Sequence, residues 1–251
     1  MALLEVENLF RSFGGLLAVQ DVSFTVEKGQ IKAVIGPNGA GKTTLFNLIS
    51  RALAPTSGAV RFDGCDLQGK KPHQAASLGM ARTFQNIEMF SGMTVLENVM
   101  VGCHVRSRSG FLASMFALPG TRPEEREIRK KSLALLDLLG VADLACKDAA
   151  GLAFGQQRAV EFARALAMEP RLLLLDEPAA GLNIYETAEV GRLIMKIREM
   201  GITILLVEHD MSLVMDISDE IAVLSFGQLI AHGSPRMIQQ DPEVIKVYLG
   251  E

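Results

Sequence analysis

The sequence predicts an α/β fold with a mainly parallel sheet, and two features carry that prediction. In the last third of the chain, continuous apolar runs alternate with amphipathic helical patterns. Such runs are typical of strands that are buried on both faces, and helices between them favour a parallel sheet. The second feature is an apolar run that leads through a glycine-rich segment into a helical pattern near residue 40.

In chain order, the first elements are short strands separated by turns. Residues 4–6 and 22–26 alternate apolar and polar side chains, and residues 27–29 form a turn. Residues 31–35 are apolar and partly β-branched, which predicts a buried strand. Apolar side chains then recur at helical spacing within residues 45–49. This part of the chain therefore predicts strands, a glycine loop and a helix.

The middle of the chain, residues 89–148, has mostly helical patterning. Residues 121–124 resemble a capping box, in which two side chains satisfy the backbone N–H groups of a helix's first turn. On the helix that follows, Glu125 with Arg129 and Glu127 with Lys131 have the i, i+4 spacing of stabilising ion pairs. We therefore expect a helical insertion.

The last third predicts three buried strands and two helices. The strands are expected at residues 172–175, 202–207 and 221–224, and the helices at residues 156–168 and 186–200. No repeat, low-complexity tract or flexible linker is visible, so we expect one domain with an inserted subdomain.

Composition excludes some classes of protein. Lys and Arg number 25 and Asp and Glu number 29, which gives a formal net charge of −4. Because duplex nucleic acid usually demands a basic surface, we expect no nucleic-acid partner. The three cysteines, Cys65, Cys103 and Cys146, are widely separated and lack metal-ligand spacing. A disulfide framework and a zinc site are both disfavoured.

The sequence also disfavours a membrane span and a signal peptide. The longest charge-free apolar stretch, near residues 111–118, is about half the length needed to cross a bilayer. Glu5 and Glu7 lie where a signal peptide would have a basic end and an apolar run. A cytoplasmic location is the expectation.

The segment from Gly36 to Thr43 fits the pattern GxxxxGK[ST] between a predicted strand and a predicted helix. In this pattern backbone N–H groups turn toward phosphate oxygens, and the helix presents the positive end of its dipole. Lys42 is expected to reach the β- and γ-phosphates, Thr43 to bind Mg²⁺ and Thr44 to add a phosphate contact. The loop residues expected to bind the nucleotide are Gly36, Asn38, Gly39, Ala40 and Gly41. The alternative is a glycine turn that binds no ligand.

Two carboxylates and a histidine follow neighbouring apolar runs. Active sites of open α/β sheets lie at the carboxyl ends of strands, where Asp176 and Glu177 are expected. Asp176 suits Mg²⁺, directly or through water, and Glu177 suits a general base that polarises the attacking water. His209 can donate to a γ-phosphate oxygen and hold the water and the base. The alternative is that the carboxylates are solvated and the histidine is structural.

Six motifs occur in a fixed order along the chain. They are GPNGAGKTT, Gln85 in RTFQN, LAFGQQR at residues 152–158, LLLLDEP, AGLN at residues 180–183 and EHD at residues 208–210. This ordered set resembles the ATP-binding cassette ATPases over essentially the whole chain. The resemblance implies ATP hydrolysis by a sandwich dimer, in which one subunit's phosphate loop and the other subunit's signature segment hold each nucleotide.

The resemblance also implies the domain organisation. It implies a P-loop NTPase (RecA-like) core with a mainly parallel sheet, an antiparallel β subdomain and an inserted α-helical subdomain. One domain would span residues 1–251, with the core at about 1–87 and 159–251. The helical subdomain, which carries the signature segment, would occupy about residues 88–158.

Two further site residues come from the resemblance. Gln85 is implied to sense Mg²⁺ or the attacking water, and to act as the hinge of the helical subdomain, so it is expected both among the catalytic residues and among the metal ligands. Phe13 is implied to stack on adenine. Phe10 is the alternative for that role, and core packing is the alternative interpretation of Phe13.

The signature segment departs from the usual LSGGQ. Ala153 stands at the serine position and Phe154 at the first glycine, whereas Gly155 and Gln156 are kept. The resemblance implies that Ala153, Gly155 and Gln156 bind the partner subunit's nucleotide in trans. Loss of one charge-assisted hydrogen bond costs about 1.5–3 kcal/mol, which raises the question of whether this site in trans is weaker. Asn183 also stands where an aspartate is frequent.

A finer resemblance, to the larger ATPase subunit of branched-chain amino-acid importers, rests on LAFGQQR, DEPAAGLN, the segment 83–102, the length of the helical stretch 106–140 and the closing VIKVYLGE. It implies a peripheral subunit at the cytoplasmic face of the inner membrane. The implied partners are a second ATPase subunit, as a homo- or heterodimer, transmembrane permease subunits and, indirectly, an extracytoplasmic binding protein. Residues 85–101 are expected to form the permease-docking groove, with core packing as the alternative.

Two other functions stay open from the sequence. One is the ATPase of a lipid or polysaccharide exporter, and the other is a soluble ATPase of the same fold, such as a component of iron–sulfur assembly. No residue of an ATPase subunit chooses the transported substrate.

Overall fold

A computed structural model describes residues 2–85, 87–103 and 122–249. The chain divides into two compact units, one made of Met1–Arg82 with Arg171–Glu251 and the other of Thr83–Pro170. The apolar stretch at 111–118 lies wholly outside the described residues. The capping box at 121–124, the helical stretch 106–140, the helical subdomain at 88–158 and the docking segment 85–101 lie partly outside them.

The first unit contains an antiparallel sheet. Its strands are β1 (Ala2–Phe13), β2 (Leu16–Glu27), β4 (Ser57–Phe62) and β5 (Cys65–Asp66). Their order in the sheet is β2-β1-β4-β5. Strands β1 and β2 continue well beyond the expected segments 4–6 and 22–26, because several register shifts let the pairing extend to the turn at Gly14 and Gly15.

The first unit also contains a mainly parallel sheet. Its strands are β3 (Ile31–Ile35), β6 (Met80–Arg82), β7 (Leu172–Asp176), β8 (Thr203–Val207), β9 (Glu220–Ser225) and β10 (Gln228–Gly233). Their order is β10-β9-β3-β8-β7-β6, and only the pair of β10 with β9 is antiparallel among these strands. The predicted fold class is confirmed, and the carboxyl ends of β3, β7 and β8 lie side by side.

The helices of the first unit are α1 (Lys42–Ile49), α2 (Pro72–Ser77), α6 (Ile184–Glu199), α7 (Met211–Ile217), α8 (Pro235–Gln240) and α9 (Pro242–Leu249). Leu45, Leu48 and Ile49 of α1 are fully buried and belong to a core that includes side chains from both sheets. Helix α6 begins two residues before the expected position, because Asn183 Oδ1 accepts hydrogen bonds from the N–H groups of Tyr185 and Glu186.

The second unit is helical. Its described helices are α3 (Val95–Cys103), α4 (Arg122–Leu138) and α5 (Phe154–Leu166), with short 3₁₀ helices at Ala142–Leu144 and Ala149–Gly151. Helix α5 packs with α3 and α4, and this compact unit continues past residue 158 to Pro170. It starts at Thr83 because the strand pairing of β6 ends at Arg82.

The helical pattern predicted for the middle of the chain matches the described part of this unit. The expected pair of Glu127 and Lys131 is present on α4, with Oε1 and Nζ 3.4 Å apart. Within the described ranges, none of the helices combines the length and the apolar character needed to cross a bilayer.

Candidate active site

The loop between β3 and α1 has a backbone that L side chains rarely adopt. The φ angles of Gly36, Gly39 and Gly41 are +150°, +81° and +99°. A Cβ atom on Gly36 would lie 2.1 Å from the carbonyl oxygen of Leu224, and one on Gly41 would lie 2.3 Å from that of Ala18. Packing against β9 and β2, as well as φ, therefore requires glycine at these two positions.

Lys42 is the first residue of α1, and its side chain folds back over this loop. Its Nζ donates hydrogen bonds to the carbonyl oxygens of Gly36 at 2.6 Å and Pro37 at 3.0 Å. Burial lowers the pKa of Lys42, and the negative charge of Glu177 acts in the opposite direction. The loop thus holds an ammonium group at the amino end of a helix, an arrangement that suits phosphate.

Glu177 and His209 are in direct contact at the carboxyl edge of the parallel sheet. Oε1 of Glu177 lies 2.5 Å from Nε2 of His209. Asp176 and Val207 are paired in register, and the Glu177 N–H donates to the Val207 carbonyl oxygen at 2.9 Å, so strand pairing sets the two side chains beside each other. The φ angle of Glu177 is +49°, which is uncommon for a residue other than glycine.

Asp176 has a partner that the sequence did not predict. Nη2 of Arg82, the last residue of β6, donates to Oδ2 of Asp176 at 2.7 Å. Nη1 of the same guanidinium donates to Asn47 Oδ1 at 2.8 Å and to Ser50 Oγ at 2.9 Å. Arg82 therefore joins the carboxylate at the end of β7 to helix α1 and the residue after it.

A cavity of about 300 Å³ lies over the glycine loop. It is lined by Phe13, Leu16, Leu17, Ala18, Asn38, Gly39, Ala40, Gly41, Lys42, Thr43, Thr44, Glu177 and His209. Phe13 is 44% exposed, and the Arg11 guanidinium lies 4.6 Å from its ring centre. Phe10 is absent from the lining residues within the described chain, so the geometry favours Phe13 over Phe10 as the aromatic contact.

The comparisons with known proteins agree with this geometry. A family model described as "ABC transporter" matches residues 19–180. The chain belongs to the ATP-binding cassette (ABC) transporter family. A second family model, described as "Branched-chain amino acid ATP-binding cassette transporter", matches residues 228–251.

Individual relatives support the same family. The high-affinity branched-chain amino acid transport ATP-binding protein BraF of Pseudomonas aeruginosa is 47% identical, over 99% of this chain and 98% of its own length. The crystal structure of the ADP conformation of an ATP-binding cassette of an ABC transporter is 34% identical, with a TM-score of 0.87 and complete coverage of both chains. A dimeric bacterial ABC transporter cassette is 25% identical, with a TM-score of 0.78 over 93% of this chain and 99% of its own.

The family assignment makes this chain an ATPase, and it confirms the sequence-based resemblance. ATP fits the residues present, because the glycine loop lines a cavity of about 300 Å³ and the Lys42 ammonium group lies beside it at the amino end of α1. Mg²⁺ fits the chemistry of the expected donors, since the Thr43 hydroxyl and the Asp176 carboxylate both supply oxygen, the ligand atom that this ion prefers.

The other expected site residues lie in the second unit. Ala153 and Gln156 are exposed and Gly155 is half-buried, at the start of α5. Gln156 Oε1 accepts a hydrogen bond from the Ala153 N–H at 3.3 Å. Gln85 is exposed. The roles of these four residues toward nucleotide and metal stay predictions.

A buried ion pair beneath residues 84–85 was missed by the sequence analysis. Arg158 Nη1 lies 2.6 Å from Glu161 Oε2, and both side chains are almost fully buried. Glu161 Oε1 accepts from the Phe84 N–H at 3.2 Å, while Arg158 donates to the carbonyl oxygens of Phe84 and Gln85. The helix that begins at the signature segment thus holds the backbone of the Gln85 segment. The sequence feature that could have revealed this ion pair is the presence of two charged residues, Arg158 and Glu161, on the apolar face of the helical pattern of α5.

Proposed function

We propose that this chain is the ATPase subunit of an importer for branched-chain amino acids. The observation that carries the proposal is the match of residues 228–251 to the branched-chain family, in a chain whose other residues build a complete phosphate loop. The same observation disfavours a lipid or polysaccharide exporter and a soluble machine, because that family model describes branched-chain amino acid transporters. The direction, import, follows from the sequence resemblance.

In the proposed cycle, the first unit binds ATP in the cavity over the glycine loop. The backbone from Asn38 to Gly41 and the Lys42 ammonium group bind the β- and γ-phosphates, and Thr44 adds a contact. The adenine ring stacks on Phe13, whose exposed face at the end of β1 supports this role. Arg11, on the same strand, makes a cation–π contact with the Phe13 ring.

The hydrolytic step is assigned to Glu177 and His209. The Glu177 carboxylate orients the attacking water and accepts its proton, and His209 holds that carboxylate through the 2.5 Å contact. Both side chains line the cavity, and His209 is the more exposed of the two, at 42% against 12% for Glu177. This supports donation from His209 to a γ-phosphate oxygen.

Mg²⁺ binding is assigned to Thr43, Asp176 and Gln85. Bound there, the ion would neutralise charge on the β- and γ-phosphates. Arg82, on the edge strand β6, donates a hydrogen bond to the Asp176 carboxylate and another to Asn47 of α1, and so fixes that carboxylate in place. The chain's own contribution is therefore an oriented carboxylate and a hydroxyl on the first turn of α1.

Ala153, Gly155 and Gln156 are assigned to a second ATPase subunit's nucleotide. Their position at the amino end of α5 supports this, because backbone N–H groups and the positive helix end remain available for phosphate without the missing serine hydroxyl. Closure of two subunits around ATP would then complete each site, and hydrolysis would reopen it.

The permease-docking surface is assigned to residues 85–101. Part of this segment is core, since Val95, Leu96 and Val99 are buried. Phe90 is 45% exposed and supports docking, as does the neighbouring Phe84, which is 58% exposed. Attachment to permease subunits would place the chain at the cytoplasmic face of the inner membrane.

Native capture tests this proposal. The chain is tagged in its own cell, membranes are solubilised in mild detergent, and the captured proteins are identified by mass spectrometry. We expect two polytopic subunits and a second, smaller ATPase. Recovery of soluble partners only would overturn the importer proposal and leave the ATPase assignment in place.

A further inference from the structure

Glu208 is a buried carboxylate between two loops of the active site. It follows the last residue of β8, and the residue is 2% exposed. Its Oε1 accepts a hydrogen bond from the Ala179 N–H at 2.7 Å. Its Oε2 accepts from the N–H groups of His209 at 2.8 Å and Asp210 at 3.3 Å. One side chain thus binds the backbone of the loop after β7 and the backbone of the loop after β8.

These contacts close a ring around the pair assigned to hydrolysis. Ala179 lies two residues after Glu177, and Glu208 directly precedes His209. The ring runs from the Glu177 side chain to the His209 ring, along the backbone to Glu208, across to Ala179 and back along the chain. Because Glu177 has an uncommon positive φ, surrounding contacts must hold its loop in place, and the Glu208 carboxylate supplies one of them.

We propose that Glu208 is a positioning residue for ATP hydrolysis, which fixes the two loops so that Glu177 Oε1 meets His209 Nε2. Glu208 does not line the nucleotide cavity, so it acts through Glu177 and His209. The inference rests on the proposed roles of those two residues. It is independent of which substrate the transporter carries.

The chemistry requires a carboxylate of this length. An ionised carboxylate offers acceptors at both ends, which matches N–H donors on both sides, and hydrogen bonds to a charged acceptor are stronger than neutral ones. A glutamine has the same shape but turns an N–H₂ group toward backbone N–H groups at one end. Glu208→Gln therefore releases one loop while it keeps the volume of the side chain.

The test measures ATP turnover and ATP affinity of the full chain with its native subunits. In Glu208→Gln we expect kcat to fall on the order of 10- to 100-fold, since small displacements of catalytic groups have effects of that size. We expect the Kd for ATP to stay within about twofold, because the phosphate loop is untouched. The matched control is Glu220→Gln, which removes a half-buried carboxylate that pairs with Lys32 at the start of β9. That variant should keep its kcat at temperatures where it is folded.

A double-mutant comparison separates positioning from general loss of structure. In a His209→Ala background, Glu208→Gln should change kcat by less than about threefold, because the contact that it positions is already gone. An equal fold-decrease in both backgrounds would overturn the proposal. The proposal would also be overturned if Glu208→Gln kept the wild-type kcat although Glu177→Gln was inactive. If Glu177→Gln itself turns over normally, the assigned roles fail first and the proposal fails with them.

Glu208→Asp replaces Glu208→Gln as the test variant if the glutamine variant does not fold. It keeps the charge but is one methylene shorter, so it reaches one loop only, and the same fall in kcat with a constant Kd is expected. Loss of folding in both variants would contradict a role confined to the hydrolytic step and would overturn the proposal.

Discussion

Arg82 and Asp176 form a nearly buried ion pair at the edge of the nucleotide site, with Nη2 and Oδ2 2.7 Å apart and side chains only 10% and 6% exposed. The pair joins β6 to the carboxyl end of β7. Asn47 and Ser50 accept further hydrogen bonds from the same guanidinium, so the Arg82 side chain is held from two sides. A carboxylate that is expected to bind a metal is thereby fixed before any ligand arrives.

Arg82→Met should destabilise the protein strongly. Removal of the guanidinium leaves the buried Asp176 carboxylate without its cationic partner. Breaking a buried pair in this way costs about 3–5 kcal/mol of unfolding free energy. Urea denaturation measures the change. Arg192→Met is the control, because Arg192 pairs with Glu189 on the exposed face of α6, where such pairs are worth at most about 1 kcal/mol. Equal losses in the two variants would contradict the importance given to burial.

Lys42→Ala should weaken ATP binding itself. One charge-assisted hydrogen bond is worth about 1.5–3 kcal/mol, or roughly a 10- to 150-fold change in Kd. Equilibrium binding of a fluorescent ATP analogue measures this. Lys28→Ala removes a lysine that is half-exposed and pairs with Asp63, and it should leave the Kd within about twofold. An unchanged Kd in Lys42→Ala would reject the role assigned to Lys42.

Ala153→Ser should stabilise the second unit. Ala153 is the N-cap residue of α5, and Gln156 already accepts a hydrogen bond from its N–H. A serine hydroxyl would complete the capping box, which typically adds about 1 kcal/mol to the free energy of unfolding. Thermal unfolding checks the expected rise, and Ala153→Gly is the comparison that lacks the hydroxyl. A variant no more stable than wild type would show that this helix end does not use a side-chain cap.

Acid should destabilise the protein partly through Glu220. Burial alone raises the pKa of Glu220, but the hydrogen bond and charge of Lys32, together with hydrogen bonds from Gln30 and His232, outweigh it and hold the pKa below its ordinary value of 4.5. A carboxyl with a lowered folded pKa contributes stability above its unfolded pKa, and this stability is lost as pH falls through the folded value. Lys32 is almost fully buried, so protonation of Glu220 also removes the negative charge that pairs with the Lys32 ammonium group.

The unfolding free energy of the wild type should therefore fall more steeply than that of Glu220→Gln as the pH drops below 4.5. Denaturant titrations at several pH values measure the two slopes. Parallel slopes would show that Glu220 ionises in the folded protein much as it does in the unfolded chain.

The sequence predicted β3, β7, β8 and β9 closely because they are short, apolar and buried on both faces, but it did not predict the three-residue edge strand β6. Residues 31–35 were predicted exactly as observed for β3, and β8 differs from its prediction by one residue at its start. The long hairpin of β1 and β2 was underestimated, since bulged pairing breaks the alternation of side chains on which the prediction depended. Helix starts were missed by two residues where a cap, such as Asn183, defines them.

Motif residues were found because their chemistry depends on local spacing, as in the glycine loop. Arg82, Glu208 and the pair of Arg158 with Glu161 were missed, because each acts on a segment distant in sequence. Strand order brings Arg82 to Asp176, and only the pairing of β7 with β8 brings Glu208 to the loop of Glu177. The order of the strands in the sheet decides which distant residues meet a buried charge, and that order cannot be deduced from the spacing of residues in a single sequence.

Leucine uptake is the most direct measurement of the central claim that this chain powers branched-chain amino-acid import through Glu177. Radiolabelled leucine is supplied to cells that lack the native copy and express wild type, Glu177→Gln or the control Glu220→Gln. We expect wild type and Glu220→Gln to restore uptake, and Glu177→Gln to bind ATP but restore none. Full uptake with Glu177→Gln would remove this residue from the mechanism, and failure of the wild type to restore uptake would contradict the importer function.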